Sequence, residues 1–222
     1  PGVRWLPSGE QFVVDYVARS RRVRRWVAVE RASGHETVLW EEDCEAEGAR
    51  WKFIDSTCNK LWSRWVPGRR GCAAELLFLS EADGWCHVWA LRWAPGRARP
   101  ETRQLTRGEW VVQAVLRVDE LERVVWFAAG GIVPGHDPCY AHVCRAPLDA
   151  DGGGPHVTVL TADAEGTHSA DFSPCGRFFV DTWSRVDLPP VVQLRCASSG
   201  DRLLELERAD ASELIGAGWA VP

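Results

Sequence analysis

The stretch HSADFSPCGRFFVDTWSRVDLPPVVQL (168–194) contains a histidine, serines and aspartates, the residue types of a serine hydrolase. A catalytic triad needs a serine within hydrogen-bond reach of a histidine that a carboxylate orients. His168 and Ser169 are adjacent, and adjacent side chains of a β-strand point to opposite faces. The stretch therefore favours a structural role over a nucleophile–base pair.

The same stretch has the pattern of a β-hairpin. Ser173-Pro174-Cys175-Gly176 is typical of a turn, because glycine readily adopts the positive φ that hairpin turns require. Apolar residues alternate with polar ones on both sides of this turn, as in strands with one buried face. We expect Asp171 and Asp181 to accept hydrogen bonds from backbone N–H groups at the strand edges.

The alternation with period two continues along almost the whole chain. Turn sequences rich in glycine, such as ASG, EADG, APG and SSG, separate the apolar segments. The predicted strands are QFVVDYVA, RRWVAVER, ETVLWEE, AELLFLSE, CHVWALRW, EWVVQAVLRVD, RVVWFAAG, YAHVCRAP, RFFVDTWS and PVVQLRCA. Ten or more short antiparallel strands joined by hairpins predict an all-β fold.

A repeat of 50 to 60 residues then becomes visible. Leu105-Thr106 and Leu160-Thr161 each end a short strand and precede a turn and a second strand, and ETVLWEE occupies the corresponding place earlier. Four strands per repeat are typical of a β-propeller blade. The 13 tryptophans suit such a fold, because large flat rings fill the space between adjacent blades. The chain is predicted to form a partial β-propeller of about three to four four-stranded antiparallel blades.

Composition narrows the function classes. The net charge of −5 gives no reason to expect nucleic acid binding. The run RSRRVRR (19–25) is the one cluster of basic residues, which we interpret as a solvated strand edge or loop, with a phosphate-binding patch as the alternative. No apolar stretch reaches the length of a transmembrane helix. The N-terminus has no signal-peptide pattern and no methionine, so we expect upstream sequence to be missing.

The eight cysteines include no C-x-x-C pair, and the nearest approach to a metal-ligand cluster is CYAHVC (139–144). A zinc site would need a second pair of ligands at suitable spacing. We therefore predict buried or half-buried thiols at Cys139 and Cys144, with no metal and no cofactor. The redox state of the cysteines and the compartment stay open.

Three segments resemble a known family. SEADGWCHVWAL, RQLTRGEWVV and THSADFSPCGRFFVDTWSRVDLPPVVQLR occur in this order at family-like spacing. Together they resemble the C-terminal half of the N-terminal β-propeller domain of the dipeptidyl peptidase IV family, in the prolyl oligopeptidase superfamily of serine peptidases. The resemblance runs from about Arg4 to Trp219 and is weak before Trp51.

The resemblance implies a role in proteolysis. In this family an eight-bladed propeller covers an α/β-hydrolase domain, which removes N-terminal dipeptides from peptide substrates. The nucleophile elbow G-x-S-x-G is missing here, so no catalytic residue is assigned and the chain alone is not expected to be an enzyme. The resemblance implies that residues 1–208 form the partial propeller and that residues 209–222 are an exit towards the catalytic domain. Within this exit, ADASELIGAG has the pattern of a helix that Asp210 or Ser212 could cap.

The resemblance also implies candidate substrate contacts. Phe53, just after the family-like Trp51, is the best local candidate for a side chain facing the peptide, with packing in the core as the alternative. Glu41 and Glu42 resemble superficially the glutamate pair that binds the substrate amine in this family. A solvated acidic turn is the favoured interpretation of these two residues.

Two other functions remain possible. A stand-alone propeller could bind another protein without peptidase activity, and two copies could assemble as a homodimer that completes a ring. An independent enzyme is the weakest alternative, because the chain has no phosphate loop, metal cluster or nucleophile elbow.

Overall fold

The computed structural model describes residues 2–6, 8–46, 48, 61–68, 74–93, 100–149 and 156–220. Within these ranges the chain forms sixteen β-strands and one short helix. The strands are β1 (Gly2–Trp5), β2 (Gln11–Val17), β3 (Val23–Glu30), β4 (Glu36–Asp43), β5 (Ser63–Val66), β6 (Glu75–Ser80), β7 (His87–Arg92), β8 (Glu101–Gln104), β9 (Val111–Asp119), β10 (Val124–Gly130), β11 (Ala141–Pro147), β12 (Thr158–Val159), β13 (Thr167–Phe172), β14 (Phe178–Arg185), β15 (Leu188–Cys196) and β16 (Arg202–Arg208).

These strands form four sheets of four consecutive antiparallel strands each. We number them first (β1–β4), second (β5–β8), third (β9–β12) and fourth sheet (β13–β16). This is the blade arrangement of a partial β-propeller, so the predicted fold class is confirmed. All ten strands quoted from the sequence are present. The repeat is also real: Leu105-Thr106 and Leu160-Thr161 directly follow β8 and β12, the fourth strands of their sheets, and all four residues are buried.

Three strands escaped the sequence pattern. β1 and β5 have only four residues each, which is too short for alternation to be recognised. All seven residues of β16 are exposed, so no buried face imposes period two on them.

The chain divides into two compact units, Pro1–Gln104 and Leu105–Pro222. In the first unit, the apolar faces of the first and second sheets share one core. The ring of Phe78 lies 4.6 Å from that of Trp26 and 5.3 Å from that of Trp40, which in turn lies 5.5 Å from Trp89. As expected, tryptophans fill the space between these two sheets, and burial of each such ring stabilises the unit by roughly 2 to 3 kcal/mol.

The second unit has a corresponding core between the third and fourth sheets. Trp126 packs against Phe172 at 5.6 Å, and its indole Nε1 donates to the carbonyl of Ala197 at 2.8 Å. Gly200 lies close to this contact with a φ of +82°, and a Cβ there would stand 2.4 Å from the carbonyl oxygen of Leu160. Only glycine fits this close approach of two backbones.

The predicted C-terminal helix is present as α1 (Ser212–Gly216), but its cap was predicted wrongly. Ala211 occupies the N-cap position without a side-chain hydrogen bond, and the Asp210 carboxylate instead accepts from the backbone N–H of Ser212 at 2.9 Å. Within the described residues no helix has the length and apolar character needed to cross a bilayer.

Candidate functional site

A buried polar network connects three neighbouring strands of the fourth sheet. His168 on β13, Asp181 on β14 and Arg195 on β15 are each at most 4% exposed. The Asp181 carboxylate accepts from Nδ1 of His168 at 2.9 Å and from Nε of Arg195 at 2.8 Å. We call these three residues the His–Asp–Arg network.

Every N–H group of the Arg195 guanidinium has an acceptor, which is the condition for burying this charge at low cost. Nε donates to Asp181. Nη1 donates to the Asp163 carboxylate at 2.9 Å and to the Gly200 carbonyl at 3.0 Å. Nη2 donates to the second oxygen of Asp163 at 3.1 Å and to the Gln193 side chain at 3.0 Å. The guanidinium thus holds together two strands, the turn after β15 and the segment before β13.

The network contains a histidine–carboxylate pair but not a catalytic triad. Nε2 of His168, the nitrogen that would face a nucleophile, lies 3.0 Å from the carbonyl oxygen of Ala164. Both ring nitrogens therefore face oxygen acceptors. Ser169 lies on the opposite face, exposed, and donates to the Thr182 carbonyl. The structural interpretation of this stretch is confirmed.

The details of the stretch differ from the prediction in two respects. The turn is as expected: Gly176 has a φ of +70° and its N–H donates to the Ser173 carbonyl at 2.9 Å. Asp181, however, accepts from two side chains rather than from backbone N–H groups. The stretch also forms two consecutive hairpins, β13–β14 and β14–β15, rather than one.

A second buried histidine lies beside the network on β11. Nδ1 of His142 lies 3.2 Å from the Thr161 carbonyl oxygen, and Nε2 lies 3.2 Å from Nδ1 of His136. The ring centroids of His142 and His168 are 5.3 Å apart. Burial, reinforced by the neighbouring His168 ring, lowers the pKa of His142 to about 4, so this ring is neutral at physiological pH.

The geometry around His142 does not make a metal site. Cys144 is fully buried, and burial raises the pKa of its thiol, which donates to the His142 carbonyl instead of ionising. Cys139 is exposed, so the prediction of a buried or half-buried thiol is right for Cys144 and wrong for Cys139. Among the described residues, no cluster of three or more histidine, cysteine or acidic side chains could hold a metal ion.

Glu41 and Glu42 do not form a pair that could bind one ammonium group. They are consecutive in β4; Glu41 is exposed and forms an ion pair with Arg25, whereas Glu42 is buried. Burial raises the pKa of Glu42, opposed by a hydrogen bond from Ser80 and by the charge of Arg24. The solvated acidic turn was also a wrong interpretation, because both residues lie within a strand.

A polar cleft of about 330 Å³ opens beside the fourth sheet. Two of its four arginines pair with its two carboxylates, Arg195 with Asp163 and Arg185 with Glu165, and Arg202 and Arg208 also line it. The cleft offers hydrogen-bonding groups for a polar segment, but no nucleophile–base pair among the residues that line it. Asp163 and Arg195 were missed from the sequence, because Asp163 lies in an exposed turn and a charged residue in a strand such as Arg195 equally suits a solvated face. Trp51 and Phe53 lie outside the described residues.

Two cysteines of the second unit, exposed Cys175 and half-buried Cys196, have side-chain or backbone hydrogen bonds that stabilise their thiolates. A hydrogen bond from the Ser173 hydroxyl, followed by one from the Arg177 backbone, lowers the pKa of Cys175 to about 7. Hydrogen bonds from Ser198 and Ser199 lower the pKa of the half-buried Cys196 to about 7.

These surroundings predict selective alkylation. At pH 7 iodoacetamide should label Cys175 at least about threefold faster than exposed Cys139, because a larger thiolate fraction outweighs the lower nucleophilicity of a low-pKa thiol. At pH 9.5, far above the pKa of Cys175, a further rise in its thiolate fraction no longer favours it, and the ratio should fall. Mass spectrometry of peptides after brief labelling measures both rates. Equal rates at pH 7 would contradict the prediction, and buried Cys44, Cys86 and Cys144 should stay unlabelled in the native protein.

Comparison with known proteins gives one consistent family. The profile of the family described as "Dipeptidyl peptidase IV (DPP IV) N-terminal region" matches residues 1–190. Curated relatives include dipeptidyl peptidase 4 of Trichophyton equinum, which is 23% identical to this chain over 213 residues. The aligned region covers 91% of this chain and 25% of the relative. Dipeptidyl peptidase 4 of Arthroderma otae is 25% identical over 189 residues, covering 84% of this chain and 22% of the relative.

The solved structures agree on the fold. Porphyromonas gingivalis dipeptidyl peptidase 4 superposes with a TM-score of 0.65 at 20% identity, over 94% of this chain and 26% of that protein. The chain thus spans about a quarter of the length of the proteins that it matches.

Proposed function

We propose that this chain, which belongs to the family of the dipeptidyl peptidase IV N-terminal region, is the non-catalytic propeller region of a serine-type dipeptidyl peptidase. The observation that carries this proposal is that both ring nitrogens of His168 have hydrogen-bond partners within the blade. Its two ring nitrogens are bound to Asp181 and to the Ala164 carbonyl. The histidine–carboxylate pair therefore holds a blade together and has no free nitrogen for a serine.

In this proposal the catalytic serine belongs to an α/β-hydrolase domain of the same polypeptide. The propeller admits peptide substrates and positions them for removal of an N-terminal dipeptide. Phe53 and Trp51 are the proposed side chains that contact the peptide. Residues 209–222, which include α1, are the proposed connection from the propeller towards the catalytic domain.

The test compares the chain with its full-length native polypeptide. The purified chain alone should not hydrolyse Gly-Pro or Ala-Pro p-nitroanilide, whereas the full-length protein should, in a reaction that a serine-directed phosphonate abolishes. In the full-length protein Phe53→Ala should raise KM about tenfold with kcat nearly unchanged, because an apolar contact stabilises bound substrate and transition state alike.

The matched control is Leu121→Ala, since Leu121 is 93% exposed and should leave both constants unchanged. Phosphonate-sensitive hydrolysis by the chain alone would overturn the proposal. A full-length protein without dipeptidyl peptidase activity would favour the alternative, a stand-alone propeller that binds another protein. An unchanged KM in Phe53→Ala would remove only the proposed contact.

A further inference from the structure

The arginine run from Arg19 to Arg25 divides into two sets in the structure. Arg22, Arg24 and Arg25 each have an acidic partner: Glu45, Asp15 and Glu41, respectively. Arg19 and Arg21 lie in the turn between β2 and β3, are exposed, and form no ion pair with any described residue. The turn therefore presents two uncompensated guanidinium groups in a protein whose net charge is −5.

These two arginines line one pocket. It has a volume of about 580 Å³ and is also lined by Asp15, Tyr16 and Leu61. This volume is within the range of pockets that hold small molecules. Tyr16 is 46% exposed, so part of this residue is accessible to a bound group.

The acidic residue of the pocket does not cancel the arginines. The Asp15 carboxylate accepts from Nε and Nη2 of Arg24, at 3.3 and 3.2 Å. Arg24 is fully buried, donates also to the carbonyls of Leu61 and Leu79, and lies over the Trp26 ring at 4.0 Å. Its charge is thus fixed against Asp15, and the net charge that the pocket offers to a ligand comes from Arg19 and Arg21.

The backbone of the turn holds Arg21 in a conformation that non-glycine residues avoid. Arg21 has a φ of +60°, and its N–H donates to the Ala18 carbonyl at 2.9 Å. Such a conformation is sterically unfavourable for an arginine in comparison with glycine. Glycine would form this turn with less strain, so the arginine side chain is retained at a structural cost, as is common at binding sites.

We propose that this pocket binds a phosphate group through Arg19 and Arg21. A phosphate monoester carries nearly two negative charges at neutral pH and matches two guanidinium groups in charge and in hydrogen-bonding geometry. Tyr16 adds a hydroxyl donor and a ring face. The group has two possible sources, free inorganic phosphate or a phosphate ester whose organic part lies against Tyr16. This site is independent of the proposed peptidase role.

Isothermal titration calorimetry of the chain at low ionic strength tests the site, with inorganic phosphate and phenyl phosphate as probes. Saturable binding is expected for both, and tighter binding of phenyl phosphate would identify an ester as the preferred source. Arg19→Ala and Arg21→Gly should each weaken binding about tenfold, the loss expected for one charge-assisted contact. Arg21→Gly also preserves the turn, so its effect does not depend on unfolding.

Arg22→Ala and Arg25→Ala are the matched controls, since they remove equal charge from the same hairpin but from arginines that already have partners. Both should change affinity less than twofold. The proposal is overturned if neither probe binds saturably, if the Arg19 and Arg21 variants bind as well as the wild type, or if the control variants lose as much affinity.

Discussion

Replacement of Asp181 by alanine is expected to destabilise the second unit by about 3 to 5 kcal/mol, the usual cost of breaking a buried ion pair by removing one partner. Asp181 is fully buried and neutralises Arg195, which is 1% exposed. Without the carboxylate, Nε of Arg195 and Nδ1 of His168 both lose their acceptor, although both residues are buried. The loss therefore combines a buried Arg195 charge that keeps only Asp163 as its ion-pair partner with two unsatisfied donors.

The measurement is hydrogen exchange of the backbone amides of β13 to β15, which reports the local free energy of opening. Asp171→Asn is the matched control, because Asp171 lies in the same hairpin and is exposed. It should change stability by less than about 0.5 kcal/mol. A loss in Asp181→Ala no larger than that of the control would mean that the network does not hold the sheet.

A double variant separates the ion pair from its individual members. Asp181→Ala combined with Arg195→Met should be less destabilised than the sum of the two single variants, because neither member of the buried pair is then left without the other. Strict additivity would show that the two side chains act independently. The comparison matters because a buried ion pair can be costly to break and yet contribute little in comparison with an apolar replacement.

The fold could be predicted because each strand carries its own signal. The alternation of β3 is a local pattern that burial of one face imposes, and the turn at Gly176 is a local pattern that the positive φ of glycine imposes. The repeated Leu-Thr pairs then placed equivalent strands in successive sheets. β16 lacks a buried face, so its seven exposed residues left no such pattern.

The polar contacts could not be predicted to the same depth. Asp181 and Arg195 are 14 positions apart in the sequence, and Asp163 is 32 positions from Arg195. Only the pairing of β14 with β15 brings the first two together on one face. A charged residue in a strand equally suits a solvated face, so nothing local in the sequence marks Arg195 as buried. Likewise, the burial of Glu42 and the exposure of Glu41 depend on which face of β4 is covered.

His142 should make the second unit lose stability on acidification. Burial lowers its pKa to about 4 in the folded protein, whereas an unfolded chain protonates histidine near pH 6.5. Below about pH 6.5 the unfolded state therefore binds the proton and the folded state does not. The contribution of His142 to stability is complete above this pH and declines as the pH falls towards 4. The decline reaches roughly 3 kcal/mol by pH 4, because the folded protein takes up this proton near pH 4 and the unfolded chain near pH 6.5.

The surroundings of His142 explain why the folded state resists the proton. His136 on one side and His168 on the other are the titratable groups that disfavour a positive charge here. The Thr161 carbonyl and Asp181 favour it but do not compensate for burial. His142→Asn keeps a donor near Thr161 and removes the titration, so its stability relative to wild type should improve by roughly 3 kcal/mol between pH 7 and pH 4.

The pH dependence distinguishes titration from a merely structural role. The cavity left by His142→Asn lowers stability equally at every pH, whereas the loss of titration changes only the slope between pH 6.5 and 4. Exposed His35 provides the control, and His35→Asn should follow the wild-type slope. Hydrogen exchange of the β11 amides at several pH values gives both curves. Parallel curves for wild type and His142→Asn would show that His142 titrates normally in the folded protein, and that burial between its two neighbouring histidines does not exclude the proton.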